Sequence, residues 1–154
     1  MELINIGSDG RDFFKILPDD WQDIIVPVWS NYYMDANIYV FKNDMEITVG
    51  GIVINGAPPN RTDFEIEEGQ KYVELGFKYI GFLFVDPKYR SKSLGSKWLS
   101  ALKEKFPDQS YWLTIEEVGL RSFYEKNGFK CVSESKVTNN QEWMFTYMPE
   151  DGEQ

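Results

Sequence analysis

From Lys78 to Val85 the chain reads KYIGFLFV, an almost unbroken apolar run. A strand with both faces apolar is one enclosed between two layers, so this segment is expected at the centre of a sheet. Around it the pattern is less uniform. The first residues, ELINI, alternate and predict an edge strand. NIYVFKNDMEITVGGIVI predicts a pair of strands joined by a turn at Lys42-Asn43-Asp44. YWLTI predicts a strand, and KCVSES and QEWMFTYM predict two more with a polar connection.

Elsewhere the spacing is helical. In PDDWQDIIVPVWSNYY, residues Trp21, Ile24, Ile25, Val28 and Trp29 share one face. Pro18 and the acids suit the first turn, and Pro27 should kink or interrupt the helix. Leu94, Trp98, Leu102 and Phe106 recur every four residues, with Leu99 beside them, and predict an amphipathic helix. SDGRDFFKIL begins with capping residues and predicts a short helix. EVGLRSFYEKNGF predicts another, stopped by Asn127-Gly128. NGAPPNRTDFEIEEGQ, with paired prolines, reads as a polar surface loop. Its acids Asp63, Glu65, Glu67 and Glu68 would either face water or meet a cationic substrate. KYVELGF fits either a last helical turn stopped by Gly76 or the beginning of a strand. The order of elements predicts an α/β or α+β layered domain.

Composition narrows the class. The chain has 154 residues, 42% of them hydrophobic, enough for one packed domain, taken as residues 1–150 with a loose acidic tail at 151–154. No apolar stretch reaches membrane-spanning length, and MELINIGSDGRDFF lacks a basic region followed by a long apolar run, so neither a membrane span nor a secretory signal is expected. The single cysteine, Cys131 in GFKCVSE, reads as a buried structural thiol. With no histidine there is no Cys–His pair and little basis for a zinc site, so no metal is expected, and the setting reads as reducing and cytoplasmic. The net charge of −9 repels phosphate backbones, which argues against a nucleic-acid partner. It favours cationic ligands such as amines, although acidity by itself selects no substrate.

The chemistry concentrates in VDPKYRSKSLGSKWL, Val85 to Leu99. A helix that opens just after a strand presents unpaired N–H groups and a partial positive charge. Arg90 and Lys92 add cations, Ser91, Ser93 and Ser96 add hydroxyls, and Gly95 lets a ligand approach the backbone. The segment suits a phosphate or pyrophosphate. The phosphate-loop spacing G-x-x-x-x-G-K fails, because Arg90 stands five before Gly95, and the dinucleotide pattern G-x-G-x-x-G is absent.

The segment resembles the acetyl-coenzyme A signature of the GNAT N-acetyltransferase superfamily. There a strand ends in Val-x-Pro and [Q/R]-x-x-G-x-[G/A] opens a helix. Here the strand ends Val85-Asp86-Pro87 and the signature reads Arg90-Ser91-Lys92-Ser93-Leu94-Gly95, with Ser93 where the first glycine is usual. Downstream, Tyr124-Glu125-Lys126-Asn127-Gly128-Phe129 resembles the family's second signature. The likeness covers Lys78 to Ser133 firmly and the amino-terminal third loosely.

The resemblance implies a GNAT fold, a mixed central sheet of about six to seven strands flanked by about four helices. It implies that the strands at Lys78–Val85 and Tyr111–Ile115 splay apart around the pantetheine arm. Leu83, Phe84 and Val85 would line that arm, and the amides from Arg90 through Ser96 would hold the pyrophosphate of acetyl-CoA. Tyr124 matches the tyrosine that protonates the departing thiolate. The strand glutamate that serves some members as base falls at Tyr79 here, so that role does not transfer. Glu116 and Glu117 are the nearest alternatives, and water relaying the proton is another. Glu117 stands where the family often has an asparagine touching the cofactor.

The expected activity is acetyl transfer from acetyl-CoA to a primary amine, of a small molecule such as a polyamine or amino-acid derivative, by a monomer or homodimer. A protein or peptide amine as acceptor, a non-catalytic acyl-CoA sensor or scaffold, and a purely structural module are the alternatives. Specificity would reside in Asp9–Asp35, Asn55–Gly69 and Glu134–Asn140. The aromatics Trp21, Trp29, Tyr32, Tyr33 and Trp143 would wall a pocket or fill the core, the core being preferred.

Overall fold

The structure, a computed structural model, describes residues 2–7, 9–59, 61–135 and 141–149. The expected tail at 151–154 and positions 136–140 of the expected specificity loop lie outside the described residues.

The strands follow the sequence pattern closely. β1 (Ile4–Gly7), β2 (Ala36–Asn43), β3 (Glu46–Ile54), β4 (Lys78–Val85), β5 (Tyr111–Ile115), β6 (Lys130–Glu134) and β7 (Trp143–Tyr147) form one sheet in the order β1-β2-β3-β4-β5-β7-β6. Every neighbouring pair is antiparallel except β4 and β5, which are parallel. Among the described residues no helix is long and apolar enough to cross a membrane.

Each face of the sheet carries a core. On one face, α5 (Leu94–Lys105) buries Leu94, Trp98, Leu99 and Leu102 against Tyr39, Val49, Val53 and Ile80, and onward to Leu113 and Phe145 of the far strands. Each such side chain contributes about 1.5–3 kcal/mol when fully enclosed. Trp98 stays satisfied there because its Nε1–H donates to the Tyr39 carbonyl at 2.9 Å. α6 (Arg121–Lys126) adds Tyr124 to the same core. On the other face, α1 (Arg11–Phe14) and α2 (Asp19–Ile25) bury Phe13, Phe14 and Ile25 against Ile38, Val40, Ile52 and Ile54. The Gly50-Gly51 pair of β3 serves both cores. A Cβ on Gly50 would lie 2.6 Å from Phe13, and one on Gly51 would lie 2.7 Å from Trp98.

Pro27 interrupts the second helix as expected: α2 gives way to a 3-10 turn at Val26–Val28 and then α3 (Trp29–Tyr32). The aromatic assignment holds for Trp143, which is buried, whereas Trp21, Trp29 and Tyr32 are half-buried at the edge of the second core and Tyr33 is exposed. Cys131 is half-buried rather than enclosed.

One element was misread. The acidic stretch taken as a loop contains α4 (Asp63–Glu74). Thr62 caps it in a reciprocal box: its Oγ accepts from the Glu65 N–H at 3.2 Å, and Glu65 Oε1 accepts from the Thr62 N–H at 3.2 Å. Asp63 and Glu65 in the first turn also oppose the helix dipole favourably. KYVELGF accordingly ends this helix, and Gly76 takes a φ of 87° beyond it.

Candidate active site

The site begins with an irregularity in β4. Gly50 pairs with Phe84 but Ile52 pairs with Gly81, so β4 carries one residue more than β3 across this interval. The bulge falls where Phe82 takes a φ of 59°. An extra residue exchanges the faces of everything after it. Ile80, Leu83 and Val85 consequently pack on the α5 face, while Tyr79, Phe82 and Phe84 pack on the α1–α2 face. The uniform apolar run had implied enclosure on both sides; the carboxyl half of β4 is instead half-buried, because it borders an open cleft.

That cleft arises from the next strand. β4 and β5 pair only at Lys78↔Tyr111 and Tyr79↔Trp112, after which their ladder ends. The gap widens into a cleft of about 660 Å³. Leu83 and Val85 line one side, Leu113 to Glu117 the other, and Arg90, Ser91, Ser93, Leu94 and Gly95 close one end. Tyr124 faces the same space. Of the residues expected in the site, Phe84, Lys92 and Ser96 stand outside it. The bulge turns Phe84 towards Trp21, with ring centroids 5.7 Å apart. Lys92 lies over the Tyr89 ring, and Ser96 accepts a hydrogen bond from Asn127 Nδ2 at 3.1 Å.

The loop before α5 is held from several directions. Asp86 Oδ1 accepts from the Lys88 N–H at 3.0 Å and starts a 3-10 turn at Pro87–Tyr89. Lys88 then pairs with Glu46 of β3 at 2.8 Å. Arg90 donates from Nε to the Val85 carbonyl at 3.2 Å and lies over the Phe84 ring. Ser91 and Ser93 take positive φ values of 69° and 56°. Ser93 therefore adopts the left-handed conformation that a glycine would supply. Its side chain makes no cap, and the first helical bond closes from Lys97 N–H to Ser93 O at 3.0 Å. The amides of Leu94 and Gly95 thus emerge without intrahelical partners at the end of the cleft.

The cleft also carries acids. Glu65 and Glu142 are each only 6% exposed, although they are carboxylates. Glu65 Oε2 accepts from Thr114 Oγ1 at 2.7 Å, and Glu142 Oε1 accepts from Thr62 Oγ1 at 3.0 Å. Burial, and then repulsion from Glu65 and Glu116, raises the Glu142 pKa against the opposing effect of the Thr62 hydrogen bond. Glu116 and Glu117 also line the cleft but are exposed. Tyr79 is pushed well above the ordinary phenol range, first by burial and then by the charge of Glu65. Burial likewise raises Tyr124, whose hydroxyl has no hydrogen-bond partner among the described residues. Sequence reasoning missed Glu142 altogether and reached Glu65 only as a loop acid. The Thr62-x-x-Glu65 spacing was the available signal for the helix that positions Glu65.

Comparisons with known proteins agree with this fold. A family model described as "Acetyltransferase (GNAT) domain" matches residues 34–131. The fold is similar to that of a protein from Desulfovibrio desulfuricans described as a GNAT-family acetyltransferase, at TM-score 0.70 and 11% identity over 95% of this chain and 97% of that one. A GNAT family acetyltransferase from Elizabethkingia anophelis, solved with acetyl-CoA bound, matches at TM-score 0.59 and 13% identity over 95% and 96% of the two chains. A Corynebacterium glutamicum structure named for histone acetyltransferase HPA2 and related acetyltransferase matches at TM-score 0.63 and 13% identity over 99% and 98%. The sequence matches no curated protein.

Proposed function

The chain belongs to the GNAT acetyltransferase family, and from that premise we propose that it moves an acetyl group from acetyl-coenzyme A to the primary amine of a small molecule. The observation that carries this reading is one continuous cleft. It joins an anion-binding helix mouth, an unpaired strand edge and the unpartnered hydroxyl of a largely buried tyrosine.

The residues present fit the cofactor. The free amides at Leu94 and Gly95, with Arg90 beside them, offer donors and positive charge to a diphosphate. The edge of β4 beyond Tyr79 leaves main-chain groups for an amide-bearing arm, and Leu83 and Val85 supply its apolar wall. Bound there, acetyl-CoA would supply an activated acyl carbon. Lys92 and Ser96 would act through loop charge and through the anchor to Asn127 rather than by lining the cleft. Phe84 would act by supporting Arg90.

Tyr124 acts as the acid. Burial keeps its hydroxyl protonated through the working range, so it donates rather than accepts. A free thiol has a pKa of about 8.5, so a departing thiolate gains from a nearby proton donor. The amine must lose its proton before attack, and a carboxylate of the cleft wall receives it. Glu116 and Glu117 are the wall acids foreseen from sequence, and both border the cleft. A cytoplasmic, reducing setting accords with a single half-buried thiol.

The test is release of coenzyme A thiol with a panel of small amines. Tyr124→Phe should bind coenzyme A as the parent does and lose turnover by about a hundredfold or more. Binding of acetyl-CoA without thiol release for any amine would replace the enzyme reading with an acyl-CoA sensor. Turnover confined to peptide amines would replace the small-molecule acceptor.

A further inference from the structure

Removing a carboxylate from water without a cation beside it is costly, and such a group marks either a protonated acid or a place reserved for a cation. Glu65 and Glu142 are both in that position: among the described residues neither forms an ion pair. They are not equivalent. Glu65 spends one oxygen on the Thr62 N–H and the other on Thr114 Oγ1. Glu142 uses Oε1 to accept from Thr62 Oγ1, and among the described residues its Oε2 has no donor. The Thr62 hydroxyl accepts from the Glu65 N–H, so its own proton is committed to Glu142 and fixes that carboxyl in the cleft wall. Arg61, the cation next to this cluster in sequence, is directed to the Glu65 carbonyl and to Gln70.

A second observation is independent of the acids. Tyr124, 8% exposed, presents an unpartnered hydroxyl to the same cleft. Tyr79, Glu65, Glu116 and Glu142 line that cleft with it.

Resting on the acetyl-transfer reading above, we infer that Glu142 binds the ammonium of the acceptor and takes its proton, so the acceptor enters as a cationic primary amine between Glu142 and Tyr124. One N–H bond breaks and its proton passes to Glu142. The freed lone pair forms the C–N bond to the acetyl carbon as the C–S bond breaks. Tyr124 gives its proton to the sulfur and regains one from the nitrogen, which leaves a neutral amide, a thiol and a protonated Glu142. That proton then leaves to water.

Glu142 suits this role better than Glu116 or Glu117, which are exposed and screened. Glu65 on α4 and Glu116 on β5 act on it directly, Tyr79 on β4 and Tyr124 on α6 line the same cleft, and none of the four supplies positive charge. Asp20 on α2 borders the same cleft.

The experiment titrates n-butylammonium into the coenzyme A-saturated protein by calorimetry, with n-butanol as the uncharged comparison. Glu142→Gln should weaken n-butylammonium binding at least tenfold and leave coenzyme A affinity within about twofold, and Glu142→Asp should restore part of the loss. With n-butylamine and acetyl-CoA, Glu142→Gln should lower kcat about a hundredfold and remove the acidic limb of the kcat pH profile. Equal n-butylammonium binding by parent and Glu142→Gln, or none by the parent, would overturn the inference. Weakened binding in Glu142→Gln, with no thiol release by the parent for any amine, would uphold the ammonium site and defeat the acetyl-transfer reading. A melting temperature no lower than the parent's separates either result from misfolding.

Discussion

Ser93→Gly is expected to make this protein more stable, although glycine usually weakens a helix terminus relative to a capping residue. At φ 56° and ψ 31°, Ser93 sits in the left-handed region, and its side chain makes no capping bond that the substitution would remove. A left-handed L-residue costs about 1–2 kcal/mol. Against this, glycine gives the unfolded chain more freedom, worth about 0.4–1 kcal/mol. The difference leaves a stabilisation of about 0–1.6 kcal/mol, or a rise in Tm of up to about 6 °C for a chain of this size. Ser96→Gly provides the contrast. That residue lies inside α5 and accepts from Asn127 Nδ2 at 3.1 Å. Its replacement loses about 0.5 kcal/mol of helix propensity and about 0.5–1.5 kcal/mol for the hydrogen bond. Thermal melting of the two variants followed by far-ultraviolet circular dichroism, with coenzyme A affinity measured alongside, gives the comparison. Opposite signs for the two substitutions, with affinity of Ser93→Gly equal to or above the parent, are expected. A lower Tm for Ser93→Gly would refute the claim that the backbone at this position is strained.

Three other outcomes follow from packing and charge. Gly69→Ala should cost about 1–3 kcal/mol in urea denaturation, because a Cβ there would lie 2.6 Å from the buried Trp112 ring. Trp98→Phe should cost at least about 1–3 kcal/mol by the same assay, since it strands the Tyr39 carbonyl now bonded at 2.9 Å and leaves a void beside Gly51. Glu142 has a raised pKa in the folded chain, so the folded state holds its proton more tightly than the unfolded state does. The stability this gives is complete below the unfolded carboxylate value and is lost as pH rises through the folded one. Melting temperatures of the ligand-free protein should fall across that window, and Glu142→Gln should remove this part of the decline.

The legible parts of the molecule were those governed by local rules. The four-residue spacing of Leu94, Trp98 and Leu102 placed α5, and Asn127-Gly128 placed the end of α6, where Gly128 has a φ of 87°. The signature residues Arg90, Ser93 and Gly95 fall at the helix mouth because main-chain geometry there is fixed by a short segment. That the Phe84 side chain turns from the cleft was not legible because an apolar run conceals a change of face; only pairing with β3 exposes the bulge near Phe82. α4 was missed because Pro58-Pro59 and the run of acids outweighed the Thr62–Glu65 box. Glu142 was invisible for a different reason. Its place depends on the pairing Ile115↔Trp143, which sets it across from Glu116, and no local pattern encodes that register.

The short ladder between β4 and β5 also has a mechanical meaning. The sheet behaves as two panels, β1–β4 and β5–β7–β6, stitched at one margin by two residue pairs and clasped on one side by α5. An occupant lying along the open seam completes the weave, so amide exchange should slow together on Gly81–Val85 and Leu113–Ile115, strands that otherwise breathe independently.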